Sequence, residues 1–302
     1  MHGGKMSTEL RAGAVVVFYN PDAACVERAN RLAEQLRCVV VDNSPTMRSA
    51  KDLGLAESIE YLPNGDNKGI GAALNRGVAA LIDEGYEAAF VFDQDSEPSS
   101  MLLTELSRVI AKANVDFVKI ALAGPAYDDA RLGGVAPFVR FRVCRLERVM
   151  PAGHDLIDVD FLITSGSCIN LRYWTEIGGM DESLFIDFVD LEWCVRAKHR
   201  GFRVVGVPWV TMQHELGEEP VRILGRAYPM HNPLRHYYLF RNAVALFRRG
   251  YVPWQWKSSE ALKLPVRLAI YALFPKQAQE HWRMAWRGLL DGLRGKAGPY
   301  SR

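Results

Sequence analysis

The strongest constraint on the fold is an alternation in the first 120 residues. Short β-branched runs at 13–19 (GAVVVFY), 38–41 (CVVV), 58–62 (SIEYL) and 88–92 (AAFVF) alternate with segments at 23–36 and 71–84 whose apolar residues recur at helical spacing. Such a pattern builds βαβ units and a mostly parallel sheet, in which ligands bind beyond the carboxyl ends of the strands. Polar clusters fall there: Tyr19-Asn20, Asp42-Asn43-Ser44, residues 64–69 (NGDNKG) and Asp93-Gln94-Asp95. The segment 11–120 therefore reads as a nucleotide-binding α/β half.

From residue 121 the pattern loosens into strands at 138–143, 158–163 and 167–171, a helix at 190–200 and a strand at 203–207. No repeat or low-complexity linker interrupts 11–215, so residues 1–220 are expected to form one catalytic domain with halves 11–120 and 121–220. The formal charge of +2 conceals a division at that boundary. Residues 1–220 hold 22 basic and 32 acidic side chains, whereas 221–302 hold 15 basic and 3 acidic, with four of the seven Trp. Helices are expected in this extension at 234–248, at 259–273 with an interruption at Pro265, and at 277–293.

Hydrophobic residues at 49% and charged residues at 24% are ordinary for a folded protein and exclude a disordered or fibrous chain. No apolar stretch approaches the roughly 18–20 residues that span a bilayer, and the opening MHGGKMSTEL lacks an apolar signal core. These features predict a cytoplasmic protein. The five cysteines (25, 38, 144, 168, 194) show no CxxC spacing, which predicts reduced, mostly buried thiols rather than disulfides or zinc.

Three constellations could carry chemistry. Asp93 and Asp95 leave a strand end at i and i+2, where two carboxylates can approach a hard cation that keeps open positions for phosphate oxygens, or simply form a solvated acidic turn. Asp187, Asp190 and Glu192 stand among bulky apolar residues in FIDFVDLEW. Desolvation there raises a carboxyl pKa toward that of a general base; the alternative is a set of acids favoured by a helix N-terminus. His214 follows a strand-like segment and is either a metal ligand or a structural imidazole. The glycine segment from Asn64 is no dinucleotide fingerprint, because Leu74 stands where the third small residue belongs. Neither a P-loop nor a Gly-x-Ser-x-Gly elbow is present. The imperfect glycine pattern weakens an oxidoreductase reading, the lack of a Lys/Arg-rich glycine loop near the N-terminus weakens a nucleotidyltransferase reading, and a non-catalytic sugar-nucleotide or membrane-binding module is a further alternative.

In order along the chain, VVVFYNP, VVDNS, the N-x-x-N-x-G-x-G-x-A-x-N pattern from Asn64, FDQDS, TSGS, GGMDESLFIDFVDLEWCVRA, HELG and RHYYLFRN together resemble the inverting family 2 glycosyltransferases of the GT-A fold. The resemblance spans about residues 12–250. FDQDS, IDFVDLEWCVRA and RHYYLFRN in particular resemble the bacterial rhamnosyltransferase branch. It implies an α/β GT-A fold, a dTDP-β-L-rhamnose donor, an α-linked product on a surface glycan or lipid-linked glycan, and a divalent metal, Mg or Mn; UDP- or GDP-linked sugars are the alternative donors. On matching positions, Tyr19 and Asp42 would contact the base, Asn64, Asn67 and Lys68 the nucleoside, and Asp93 with Gln94 the ribose side. Asp95 would bind the metal with Asp93 and His214. Asp190 would be the base, although Val189 precedes it where many members have Glu, which keeps Asp187 and Glu192 in reserve. Ser165, Gly166 and Asp187 would face the acceptor, and Arg235, Tyr238 and Arg241 a phosphate.

In the basic extension, Trp282, Trp286, Leu289 and Leu293 share one helical face beside Arg283, Arg287 and Arg294. That face fits a membrane interface, which would put the protein peripherally on the cytoplasmic face of the inner membrane, or it packs on the catalytic domain or on a second subunit in a homo-oligomer. The acidic body and the absence of a nucleic-acid motif argue against nucleic acid as the partner. This division predicts sugar transfer in the body and docking in the tail.

Overall fold

The structure is a computed structural model describing residues 10–129, 134–142, 145–213, 221–223, 226–228, 231–275 and 277–301. In chain order the elements are β1 (Ala12–Phe18), α1 (Ala23–Ala33), β2 (Arg37–Asp42), α2 (Ala50–Leu53), β3 (Glu60–Pro63), α3 (Ile70–Asp83), β4 (Ala88–Asp93), α4 (Ser100–Val115) and β5 (Ile120–Asp129). There follow β6 (Gly134–Val135), β7 (Phe138–Arg142), β8 (Arg145–Val149), β9 (Ile157–Asp158), β10 (Cys168–Asn170), α5 (Trp174–Ile177), α6 (Val189–His199) and β11 (Arg203–Gln213). The remainder comprises β12 (Val221–Ile223), β13 (Arg226–Tyr228), α7 (Pro233–Phe247), α8 (Trp254–Leu273) and α9 (Ala278–Leu293).

The central sheet runs β3-β2-β1-β4-β10-β5-β11-β9. Strands β3, β2, β1 and β4 are parallel, and β10 lies antiparallel between β4 and β5. Because side chains alternate along a strand, the valine runs bury both faces. The row Val39–Val15–Val91 meets Leu74 and Val78 of α3, and the next row, Val40–Val16–Phe92, meets Leu102, Leu106 and Ile110 of α4. The chain leaves β1 toward β2 on one side and returns to β4 on the other. That reversal makes the carboxyl ends of β1 and β4 a switch point, where α/β sheets bind ligands.

The α/β half is as expected, with strands and helices within a few residues of their predicted bounds. Helix α4 and strand β5 go beyond that reading. The second half departs from it further: of the strand expected at 158–163 only Asp158 joins the sheet, within the two-residue β9, with an isolated bridge from Phe161 to Val139. Helix α8 continues through Pro265 instead of breaking there. Cys25, Cys38, Cys168 and Cys194 are buried free thiols; Cys144 lies outside the described residues.

The boundary at residue 220 is one of charge. Leu246, Val252 and Trp256 sit in the same apolar cluster as Val189 and Trp193 of α6. Helix α9 lies close along α7, because a Cβ at Gly288 would stand 2.2 Å from the Tyr237 carbonyl oxygen. Its buried face is His281, Met284, Ala285, Gly288, Asp291 and Gly292, so the tryptophan face points outward. Trp282 and Trp286 are 40% and 41% exposed, and their rings stack at 5.9 Å.

Candidate active site

The end of β1 is tied to its neighbours by two side chains. The Tyr19 N–H donates to Gln94 Oε1 at 2.8 Å, and the Asn20 N–H to Ser44 Oγ at 2.7 Å. Asp42 is buried, its carboxylate accepting from the Ser44 N–H at 2.8 Å and from the Tyr61 hydroxyl at 2.7 Å. It is thus enclosed at the end of β2, while Tyr19 is half exposed at the end of β1. Asn64 donates to Asn43 Oδ1 and accepts from Arg76, and Asn67 Oδ1 accepts from the Gly69 N–H. Lys68 extends to solvent beside Asp66, 3.3 Å away.

This glycine segment abuts a second turn. A Cβ at Gly69 would meet the Phe185 carbonyl oxygen at 2.6 Å, and the Ile70 N–H donates to that oxygen at 2.8 Å. Only glycine allows this approach, so the proposed donor loop and the segment carrying Asp187 and Asp190 are in direct contact.

At the end of β4, Asp93 is half-buried and Asp95 is exposed. The Asp93 N–H donates to Ser165 Oγ at 3.1 Å, and Ser96 Oγ lies 2.9 Å from the same hydroxyl. Ser165 is buried, and the Gly166 N–H donates to the Val91 carbonyl. Both were expected to face an acceptor. They instead pin the Asp93–Ser96 turn, assisted by Tyr127, whose hydroxyl donates to the Ser165 carbonyl at 2.8 Å. Tyr127 and Ser96 thus brace the Asp93 turn; Ser96 stands within FDQDS, whereas Tyr127 carries no local signal of this contact.

Asp95 and Gln213 line one cavity of about 540 Å³ with Arg28, Ser96, Thr211 and Met212. His214, the residue after Gln213, lies outside the described residues. Asp95 makes no hydrogen bond or ion pair among the described residues, which leaves its carboxylate available; no cluster of three His, Cys, Asp or Glu that could hold a metal occurs among those residues. An exposed, unengaged carboxylate in a cavity that Ser96, Ser99, Thr211 and Gln213 also line, with Arg28 as its cationic member, offers the oxygen chemistry a hard cation takes.

Asp190 opens α6, with Oδ1 accepting from the Leu191 N–H at 2.7 Å. Burial pushes its carboxyl up to about 6, and the charges of Asp187 and Asp93 add to the rise. Asp187 is also raised by burial, against the pull of Arg235, whose Nε lies 3.0 Å from Oδ1. Asp187 and Asp93 thus lie near enough to Asp190 for their charges to favour its protonated form. Arg235, expected on a phosphate, is engaged with Asp187.

Three other expectations are corrected by burial. Arg241 is buried, and its guanidinium donates to the carbonyls of Gly298, Ser183 and Leu184 and to Asn242 Oδ1, leaving nothing for a phosphate. Tyr238 stacks on Phe185 at 4.9 Å and accepts from the Tyr300 N–H. Glu192, the reserve base, is buried in ion pairs with Arg196 at 2.8 Å and Arg249 at 3.2 Å, so both neighbours hold its carboxylate within the packed interior.

A parallel sheet with its polar clusters at the switch point, an aspartate turn and a base-like carboxylate is an arrangement suited to moving a sugar from a nucleotide. The family model for Glycosyl transferase family 2 matches residues 14–144. This chain belongs to that family and is a glycosyltransferase. It is 30% identical over 292 residues to the dTDP-rhamnosyl transferase RfbF of Shigella flexneri, covering 94% of this chain and 96% of the relative. It is also 22% identical to the low-salt glycan biosynthesis hexosyltransferase Agl10 of Haloferax volcanii, covering 95% and 92% of the two chains. Among solved structures, residues 1–349 of S. aureus TarS in complex with UDP-GlcNAc superpose with a TM-score of 0.54 at 13% identity, over 94% of this chain and 81% of that one. GalNAc-T7 with UDP, GalNAc and Mn2+ gives 0.55 at 13% identity over 95% of this chain, which spans 56% of that structure's length. These likenesses establish the GT-A fold.

Proposed function

We propose that this enzyme is an inverting, metal-dependent rhamnosyltransferase that moves L-rhamnose from dTDP-β-L-rhamnose to a hydroxyl of a lipopolysaccharide, O-antigen or other surface glycan. The gathering of Asp190 with Asp93 and Asp187 carries the chemistry, and the likeness to the Shigella relative over nearly the whole chain supports the donor. Asp190 takes the acceptor proton. The freed oxygen pair bonds the anomeric carbon as the bond to the nucleoside diphosphate breaks, through an oxocarbenium-like state, so a β donor yields an α product. A base with a pKa near 6 is ionised at neutral pH and still basic enough to assist. Tyr19, Asp42, Asn64, Asn67, Lys68 and Gln94 would surround the nucleotide. Asp95, with Asp93 and His214, would hold a divalent cation, Mg or Mn, which supplies charge neutralisation for the leaving diphosphate.

The donor is tested by thermal shift with dTDP-rhamnose, UDP-sugars and GDP-sugars, each with Mg or Mn. A ligand at a hundred times its Kd adds about 2.7 kcal/mol of stability, so dTDP-rhamnose should raise Tm by several degrees and the others little. Equal or greater stabilisation by a UDP- or GDP-sugar would reassign the donor.

No helix among the described residues is long and apolar enough to cross a membrane. The outward face of α9 supports a peripheral place on the cytoplasmic face of the inner membrane, since stacked Trp282 and Trp286 beside Arg283, Arg287 and Arg294 suit an anionic lipid interface. Trp282→Ala with Trp286→Ala should cut co-sedimentation with phosphatidylglycerol vesicles about tenfold or more. Undiminished binding would remove α9 as the membrane contact.

A further inference from the structure

The turn that delivers Asp187 and Asp190 is strained. Phe185, Asp187 and Phe188 have φ of 65°, 63° and 63°, and non-glycine residues in the left-handed region cost on the order of 1–3 kcal/mol each. Such a conformation persists only where its surroundings over-determine it. Here the restraint comes from the basic extension. Asn242 is fully buried on α7, and its Nδ2 lies 2.9, 2.7 and 3.0 Å from the carbonyl oxygens of Leu184, Ile186 and Asp187. Arg241 donates from Nη2 to the carbonyls of Ser183 at 3.1 Å and Leu184 at 2.8 Å. Its other terminal nitrogen holds the Gly298 carbonyl, while the Gly298 N–H donates to the Ser183 carbonyl at 2.7 Å. Aromatic contacts complete the frame: Phe185 on Tyr238, whose hydroxyl accepts from Tyr300, and Phe188 edge-on to Trp256 at 5.3 Å.

We infer that Arg241, Asn242 and the segment 298–300 are positioning residues that hold the 185–188 turn in its left-handed conformation and so aim Asp190 at the acceptor hydroxyl. The inference rests on Asp190 as the base. It turns the extension from a separable docking tail into part of the machinery that sets the reaction geometry. Glycosyl transfer needs the base within hydrogen-bond reach of the attacking hydroxyl, and a displacement of about 1 Å can cost roughly 10²-fold in rate. The contacts made by Arg241, Asn242 and residues 298–300 reach none of the proposed nucleotide residues at the ends of β1 and β2, and the donor loop meets the turn at the Phe185 carbonyl, so losing them should lower turnover far more than donor binding.

The test compares Asn242→Ala, a truncation after Ala297, and Asp190→Asn with the wild-type chain. Three quantities are measured: kcat for sugar transfer, affinity for the nucleoside diphosphate, and amide hydrogen exchange over residues 185–191. Asn242→Ala and the truncation should each lower kcat about 10²-fold, change nucleotide affinity less than about threefold, and speed exchange in the turn. The truncation removes no core side chain of the sheet, so it decides the matter if Asn242→Ala does not fold. A truncated protein with wild-type kcat, or one that loses nucleotide affinity in parallel with kcat, overturns the inference. Normal turnover by Asp190→Asn instead defeats the assignment of the base, and the positioning role falls with it.

Discussion

Asp190→Asn is expected to lower kcat by about 10²–10⁴-fold, the usual worth of a positioned general base, while leaving nucleoside diphosphate binding intact. The amide preserves the shape of the carboxylate but cannot take a proton from the acceptor. The folded protein should lose no stability at pH 7.5. Asp190 is raised to about 6 by burial, Asp187 and Asp93, so the folded state holds that proton more tightly than the unfolded chain. Its ionisation therefore costs stability as pH rises through 6, and a neutral amide removes that cost. A Tm at or above the wild-type value, together with a collapsed kcat, is the expected pair. Near-normal turnover would show that another group accepts the proton.

The second large effect is expected at Asp95. A cation opposite a leaving diphosphate is worth several kcal/mol of transition-state stabilisation, so Asp95→Ala should lower kcat/KM by about 10³-fold. Asp95 is exposed and makes no bond among the described residues, and surface changes of that kind move stability by no more than about 0.5 kcal/mol. The loss can then be read as chemistry. The same variant should lose the Mg- or Mn-dependent part of the thermal shift with donor. Turnover that stays metal-stimulated in Asp95→Ala would take this residue out of the metal site.

The α/β half was legible because its signals are local. Valine runs and the polar residues that follow them locate β1, β2 and β4 and the rim of the site without knowledge of anything distant. Helix α4 carries an equally local signal, Leu102, Leu103, Leu106, Ile110 and Ala113 after the Ser99 cap. What it could not yield depends on burial between remote segments. Arg241 and Tyr238 lie in a motif that packs against the turn carrying Asp187 and Asp190, but their charge and hydroxyl say nothing of being enclosed by carbonyls from residues 183–184 and 298. Ser165 looked like a ligand contact and is a brace for the Asp93 turn. On α9 the Trp and Leu face drew attention, whereas the helix packs through Ala285, Gly288 and Gly292 because small residues let its backbone approach α7. The positive φ values at Phe185, Asp187 and Phe188 have no signature in residue type at all; the contacts that surround them come from distant residues, Asn242 on one side and Ile70 on the other.

The pH dependence of kcat/KM for transfer from dTDP-rhamnose tests the central assignment most directly. With Asp190 as the base, activity should fall tenfold per unit below an apparent pKa near 6 and level off above it, and this limb should be absent from the residual activity of Asp190→Asn. A wild-type profile that stays flat down to pH 4.5, or an acidic limb that survives in Asp190→Asn, would contradict the account.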